Sequence, residues 1–402
     1  MQSSLALAQP ILHKPLKLSS ASALQVQLHN GADALEELQA EWDELLERSS
    51  QGNFFLRWSW VRLWWQTYAP PGGQLYLLTA RNDAGKLLGV APLYWQTRRF
   101  AGIPHIRELN FLGTGGAVKT SEHLDIFTRH GFEQAVAEAF AIFLQQRQDW
   151  DRLWLWGIPG HSKVLPQMQA AFAAQLTARL CDRLYEVATD NDWESVKQGW
   201  SGQIASSHER QIKKLNQAFT VEFGCVASAP ELAPAFEDFI RLHQMRWTAK
   251  GESGAFTYPK FEGFLRAASQ QALAEGRLKL WTLRLNGESA ATLLAFVDNG
   301  VAHYMQGGFD TNFSKYSLGS AMIGYCLQAC LQDPHIRAFD FMGGNTNYKS
   351  AWTQTSREAY ELEAFRPGFR TLLYASGMQT RKLLSSVRRA VRTRLQTGKT
   401  TR

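Results

Sequence analysis

The sequence predicts an α/β (α+β) protein of two tandem domains, each a mixed, mainly antiparallel sheet flanked by helices. Three observations lead there. The chain has 402 residues, 45% apolar and 20% charged, which is more than one ordinary core takes up and is globular in composition. The stretch Gly276–Trp352 reads as three antiparallel strands, a loop, a helix and a short strand. Its turns fall at Asn286-Gly287 and Asp298-Asn299-Gly300, residues that accept the positive φ of hairpin turns. An earlier hairpin has the same outline. Leu75 to Tyr94 and Leu278 to Phe296 are separated by 19 and 18 positions, each a strand, a short glycine turn and a second strand with a small residue midway. Duplication of one unit is expected, with chance likeness of two hairpins as the alternative. The expected divisions are a leader over 1–22, a first domain over 23–188, a second over 189–370 and a tail over 371–402.

Taken in order, the first domain opens with a strand at Leu24–Leu28. A helix follows, with Leu35, Leu38, Trp42 and Leu45 on one face. A second helix, Trp58–Tyr68, is rich in tryptophan and ends at Pro70-Pro71-Gly72-Gly73. Trp58, Trp60, Trp64, Trp65 and Trp95 are expected to pack in the core, with a sugar-stacking platform as the alternative. The hairpin of Gln74–Arg99 is followed by a strand at Arg107–Leu112 and a Gly113-Thr114-Gly115-Gly116 loop. That loop does not open a helix, so no phosphate site is expected in this half. The run His123–Phe127 has a strand pattern, with His123 and Asp125 on one face and no evident partner. A helix over Phe132–Gln146, a strand over Arg152–Trp156, a helix over Gly160–Leu180 and a linking strand at Tyr185–Ala188 complete the half.

The second domain is expected to begin with a helix at Ser206–Ala218 that exposes His208, Arg210, Lys213 and Lys214. A helix over Pro234–Lys250 turns Phe239, Leu242, Met245 and Arg246 inward, with His243 and Trp247 one step round. His243 and Arg246, at i and i+3 beside the glycine-rich Gly251–Pro259 loop, suit a site wall or lid hinge. The meander, Leu278–Leu285, Glu288–Val297 and Val301–Gly308, leads through Asp310–Ser320 to a helix over Ser320–Leu331. Free amides and a positive dipole at that helix start suit a phosphate, and an ordinary start capped by Ser317 is the alternative. A strand at Arg337–Met342 then runs into Gly343-Gly344-Asn345, with Tyr348-Lys349 beyond.

The formal charge of +7 is concentrated at the C-terminal end. From Ala364 to Arg402 there are ten Lys or Arg and no Asp or Glu, so the rest of the chain carries 7 − 10 = −3. A nucleic-acid reading of the whole protein is unsupported. Leu383, Leu384, Val387, Val391 and Leu395 make the tail a basic amphipathic helix, suited to an anionic membrane surface or an acidic partner; a solvated tail is the alternative. The four cysteines include no CxxC pair, and Cys326 and Cys330 share a helix face, as buried small hydrophobes do. No signal peptide or spanning run is evident, so the expected location is cytoplasmic or peripheral at the inner membrane face.

Several chemistries find no anchor. Gly343–Ser350 follows a strand as a Walker A loop does, but Tyr348 stands where that loop needs glycine. No GxSxG elbow, HExxH or Cys/His cluster occurs, so neither a hydrolase triad nor a catalytic metal is expected.

The order LxLxxLxxxGxxxAxxLxF, YxxGGFD with x positions as they stand in Tyr304–Asp310, SKYSLGSAM and FDFMGGNTNYKSAW resembles the GNAT-type acetyltransferases of the CelD/BcsL cellulose-biosynthesis group, relatives of the FemAB peptidyltransferases. The resemblance covers about residues 25–370 and implies two tandem GNAT-like domains, with acyl transfer from acetyl-CoA (acyl-CoA) in the second and no metal. It places the pantetheine along a splayed edge at His303–Gly308, including Gly307, and the pyrophosphate at Lys315, Tyr316, Ser317, Gly319 and Ser320. That loop matches the usual Arg/Gln-x-x-Gly-x-Gly/Ala pattern only in part. Asp340 is a candidate base, or else a structural carboxylate capping the Gly343-Gly344 turn. Tyr348 is a candidate acid and Lys349 a partner for a phosphate or a charged intermediate. Family members carry a histidine–arginine–tryptophan cluster like His243, Arg246 and Trp247, which makes His243 a third catalytic candidate and Arg246 and Trp247 substrate-binding ones. The implied acceptor is a hydroxyl or amine of an envelope or exopolysaccharide precursor. Two alternatives stand beside this: transfer from aminoacyl-tRNA, the one case in which nucleic acid is a partner, and a non-catalytic role in a polysaccharide-synthase complex.

Overall fold

The computed structural model describes residues 24–100, 103–172, 175–190, 192–344 and 348–377. The expected leader, the Asn345–Asn347 stretch and the tail from 378 lie outside them; residues 369–377 are helical.

The first half comprises β1 (Gln25–His29), α1 (Ala34–Glu37), α2 (Gln39–Glu47), α3 (Trp58–Tyr68), β2 (Gln74–Arg81), β3 (Leu87–Phe100), β4 (Ile103–Phe111), β5 (Phe127–Thr128), α4 (Glu133–Gln146), β6 (Arg152–Pro159), α5 (Leu165–Phe172) and β7 (Leu176–Ala188). The second comprises α6 (Trp193–Gln198), α7 (Gly202–Ala218), β8 (Val221–Cys225), α8 (Ala229–Thr248), α9 (Pro259–Ala274), β9 (Leu278–Leu285), β10 (Glu288–Asp298), β11 (Val301–Phe309), α10 (Leu318–Gln332), β12 (Ala338–Asp340) and β13 (Ser356–Phe365).

The two halves share one sheet, ordered β1-β2-β3-β4-β6-β13-β7-β12-β11-β10-β9-β8, with β5 added to β3. β13, the last strand, runs antiparallel between β6 and β7, and β7 also pairs with β12. The sheet is therefore continuous across the chain, and the C-terminal strand lies among first-half strands. Packing joins the halves as well. One apolar core runs from α2 and α3 through α8 and α9 to one face of β9 and β10. At its centre Phe54 stacks on Phe296, with centroids 4.4 Å apart and planes 3° from parallel. A second core, on the other face of β9–β12, takes in α7 and α10.

The tryptophan-rich helix α3 packs as core: Trp60 and Trp64 are buried, and Trp60 Nε1 donates to Ser121 Oγ. Cys326 and Cys330 are buried and free. Several expectations are corrected. The helix expected over Gly160–Leu180 ends at Phe172, and residues from Leu176 belong to the long strand β7. β13 pairs with them along Leu176–Tyr185, and that pairing holds them extended. His123 and Asp125 are not in a strand; β5 begins at Phe127, and His123 has φ 52°. His208 is not exposed: its ring sits against Trp200 and Trp352 and directly over Gly324, where any Cβ would collide with it. The Gly251–Pro259 segment runs through a short 3-10 turn into α9, a helix not foreseen, as were neither β8 nor β13.

Candidate active site

The site begins where two strands part. β11 and β12 run parallel and pair only over Val301–His303 and Ala338–Asp340. Beyond His303 the strands diverge, because β11 carries an extra residue, Met305, between the partners of Leu294 and Ala295. A bulge of this kind bends a strand and re-aims its side chains. Gly308 then lets α8 lie directly on β11: a Cβ there would come within 2.2 Å of the His243 amide nitrogen.

Two cavities flank the divergence. The larger, about 500 Å³, is lined by Gly307, Ser317, Gly319 and Ser320 together with Arg246, Tyr304 and Tyr348. The start of α10 forms one wall. Ser317 stands in the left-handed region (φ 52°, ψ 47°) and makes no side-chain cap. Its carbonyl takes the Ser320 and Ala321 amides, and among the described residues nothing accepts from those of Leu318 and Gly319. Ser320 Oγ and Thr292 Oγ1 line the same cavity without partners in the structure. Unpaired amides at a helix start, with the positive end of the dipole, suit an anion. Lys315 and Tyr316 are not in this lining; the Lys315 ammonium lies over the Tyr316 ring.

The smaller cavity, about 270 Å³, is lined by Lys119 and Glu122 from the first half and by Trp247, Lys250, Gly343 and Lys349 from the second. It shares Arg246, Tyr304 and Tyr348 with the larger one. Arg246 donates to the Gly307 carbonyl at 3.1 Å and leaves Nε unpartnered, as is Trp247 Nε1. Burial raises the phenol pKa of both Tyr304 and Tyr348; Arg246 opposes the rise in each, while Tyr304 adds to it at Tyr348. Glu122 is the one carboxylate lining either cavity among the described residues. It accepts the Gly343 amide and pairs with Lys119, which also meets Asp182. Lys349 is buried, donates to the Met342 and Gly343 carbonyls, and has its pKa lowered chiefly by burial.

The other two catalytic candidates sit elsewhere. His243 lines neither cavity. It is fully buried against Phe256, and burial pushes its pKa down to about 4. Asp340 lies on the opposite face of the sheet from Tyr304, its neighbour in register being His303. Its Oδ1 accepts the Met342 amide at 2.7 Å, while Oδ2 meets His123 Nε2 at 2.5 Å and His303 Nδ1 at 3.3 Å. Burial alone would raise its pKa, but the two imidazoles hold it well below the usual carboxylate range. The Gly343 and Gly344 amides are taken by Glu122 and Asp182, not by Asp340.

Sequence reading missed Glu122, Lys119 and Tyr304. Tyr304 lay inside the YMQGGFD motif, whereas Glu122 sits in a loop whose pattern mimics a strand.

Residues 204–350 match the family model described as acetyltransferase (GNAT) domain. No curated protein matches the chain. Among solved structures the fold is similar to that of FemX, with TM-score 0.57 at 10% identity, covering 82% of this chain and 96% of that one. It is also similar to a conserved protein of unknown function from Bacteroides thetaiotaomicron, with TM-score 0.53 at 11% identity, covering 85% and 100%. At such identity the likeness is one of fold. The chain is thus an acyltransferase with a GNAT-type acetyltransferase domain over residues 204–350, set in a mixed α/β fold shared with FemX.

Proposed function

We propose that the protein transfers an acyl group from an acyl-CoA in the larger cavity to an amine or hydroxyl in the smaller one, through the gap between β11 and β12. The observation that carries this reading is the pair of cavities meeting at Arg246, Tyr304 and Tyr348. A thioester is already activated, so the protein has to hold the donor, align its carbonyl and move protons. The α10 start, with Ser317, Gly319 and Ser320, suits the donor pyrophosphate, and Gly307 leaves room beside the bulged strand for the pantetheine. Arg246, with Nε free, is placed for the carbonyl oxygen as it gains charge. Tyr348 is placed to return a proton to the departing thiolate.

The base role falls to Glu122 in this reading, since Asp340 faces away from both cavities. Lys349 holds the Met342-Gly343 turn, and through it the Gly343 amide that orients Glu122. In this reading the site draws on both halves of the chain. The acceptor class implied by the CelD/BcsL resemblance, an envelope or exopolysaccharide precursor, and peripheral attachment through the basic tail belong to this proposal. So does the choice of acetyl-CoA over aminoacyl-tRNA.

Calorimetric titration with acetyl-CoA tests the donor. Micromolar binding that is lost in Gly319→Glu, whose new carboxylate enters the anion site beside Phe309, supports the reading. No heat with acetyl-CoA or longer acyl-CoAs, but binding of aminoacyl-tRNA, turns it to the FemAB-like alternative.

A further inference from the structure

A third cavity, of about 600 Å³, lies at the seam between the halves, on the face of the sheet away from Tyr304. The acyl-transfer reading makes no use of it. Its floor holds His123 from the first half and His303 and Asp340 from the second, all buried. One ligating atom from each lies within 4.8 Å of the others. The elements that carry them are rigid. His303 and Asp340 are register partners on β11 and β12 at the last rung before the strands part. The Met342 amide fixes the Asp340 carboxylate, and Phe55 packs against both imidazoles. His123 is held at φ 52°, a conformation that a non-glycine residue keeps only where its surroundings impose it.

Two further atoms in the same cavity have no partner in the structure. Asp125 Oδ2 and His303 Nε2 belong to residues that are 2% and 3% exposed. Buried polar atoms are rarely left so, and each calls for a ligand or an ordered water. His161 and Glu186 line the same cavity.

We propose that His123, His303 and Asp340 bind a divalent transition cation of the zinc class, with its open coordination position facing this cavity. Two imidazoles and one carboxylate are a donor set of that class, and the fourth position is then left for water. At bond lengths of about 2.0–2.1 Å, tetrahedral ligands lie about 3.3 Å apart. The His303–Asp340 pair already has that separation, at 3.3 Å, whereas His123, at 2.5 Å, has to withdraw by less than its own hydrogen-bond length. The cation would tie the first half to the strands at the base of the acyl-transfer gap. No local motif announces the site because its ligands stand at positions 123, 303 and 340.

The test uses the full chain, stripped with a chelator, equilibrated with zinc alone and freed of excess by gel filtration. The expected result is about one zinc per chain with a higher melting temperature. Cobalt in its place should give the intense visible bands of a four-coordinate site. His123→Asn, which tolerates the positive φ, and His303→Gln should each keep the native circular-dichroism spectrum and lose the metal. Less than about 0.1 zinc per chain would show that the cluster is a hydrogen-bonded clamp only. Full retention in both variants would place the metal elsewhere. Either result overturns the proposal, and neither bears on donor binding, which calorimetry with acetyl-CoA reads separately.

Discussion

Arg57→Ala should cost the protein about 3–5 kcal/mol, because it leaves a buried carboxylate short of its main partner. Arg57, in the first half, grips Asp298, at the end of β10, with Nε and Nη2 each 2.9 Å from a different carboxylate oxygen. The two side chains are 4% and 1% exposed, so the truncated site cannot call on solvent. Arg277 also reaches Asp298 and would shield part of the charge, which favours the lower end of that range. With about 2.1 cal/mol/K of unfolding entropy per residue, a chain of this length loses about 4–6 °C of melting temperature. Urea or thermal unfolding followed by tryptophan fluorescence measures the loss. The companion variant, Arg57→Met with Asp298→Leu, should recover most of it, since apolar residues of similar size replace a buried pair at little cost. A loss below about 1 kcal/mol for Arg57→Ala would refute the reasoning. So would a change from one unfolding transition to two in the wild type, because the shared sheet and core require the halves to unfold together.

His208 gives a pH prediction. Burial lowers its pKa from 6.5 to about 4, so the unfolded chain takes up the proton more readily than the folded one. Stability from keeping it neutral is full above about 6.5 and is lost as pH falls towards 4, by about 2–3 kcal/mol. Urea midpoints at pH 7 and pH 4.5 should therefore differ less in His208→Phe than in the wild type. Gly308→Ala forces a Cβ onto the α8 backbone and should destabilise by about 3 kcal/mol or more, read by the same assay. Tyr348→Phe should lower kcat for thiol release about 100-fold while leaving the dissociation constant for acetyl-CoA unchanged. Unchanged turnover would remove Tyr348 from the proton path.

Local elements were legible where periodicity and turn residues agreed. Trp58–Tyr68 is a helix with the bounds its sequence predicts, and the 278–309 meander turns at its Asn-Gly and Asn299-Gly300 steps. The α9 helix was missed, although Phe261, Phe264, Leu265, Ala268 and Ala272 recur at helical spacing and are all buried. Non-local pairing was not legible. Nothing near Ser356–Phe365 says that it will insert between β6 and β7, since that depends on edges left open some two hundred residues earlier. The site divides in the same way. Arg246, Gly319 and Tyr348 announce themselves through local motifs and do converge on the cavities. Glu122 becomes visible only when the fold brings it to the Gly343 amide, and Asp340, which resembles a base in sequence, is turned to the other face by strand alternation.

In the proposed reaction donor and acceptor meet through the gap between β11 and β12. A crystal structure with coenzyme A bound tests it most directly. The expected result is the pyrophosphate on the Leu318 and Gly319 amides and the thiol beside Arg246, Tyr304 and Tyr348. Coenzyme A seated in the cavity of His123 and Asp340, or on the outer surface with the gap closed, would contradict it.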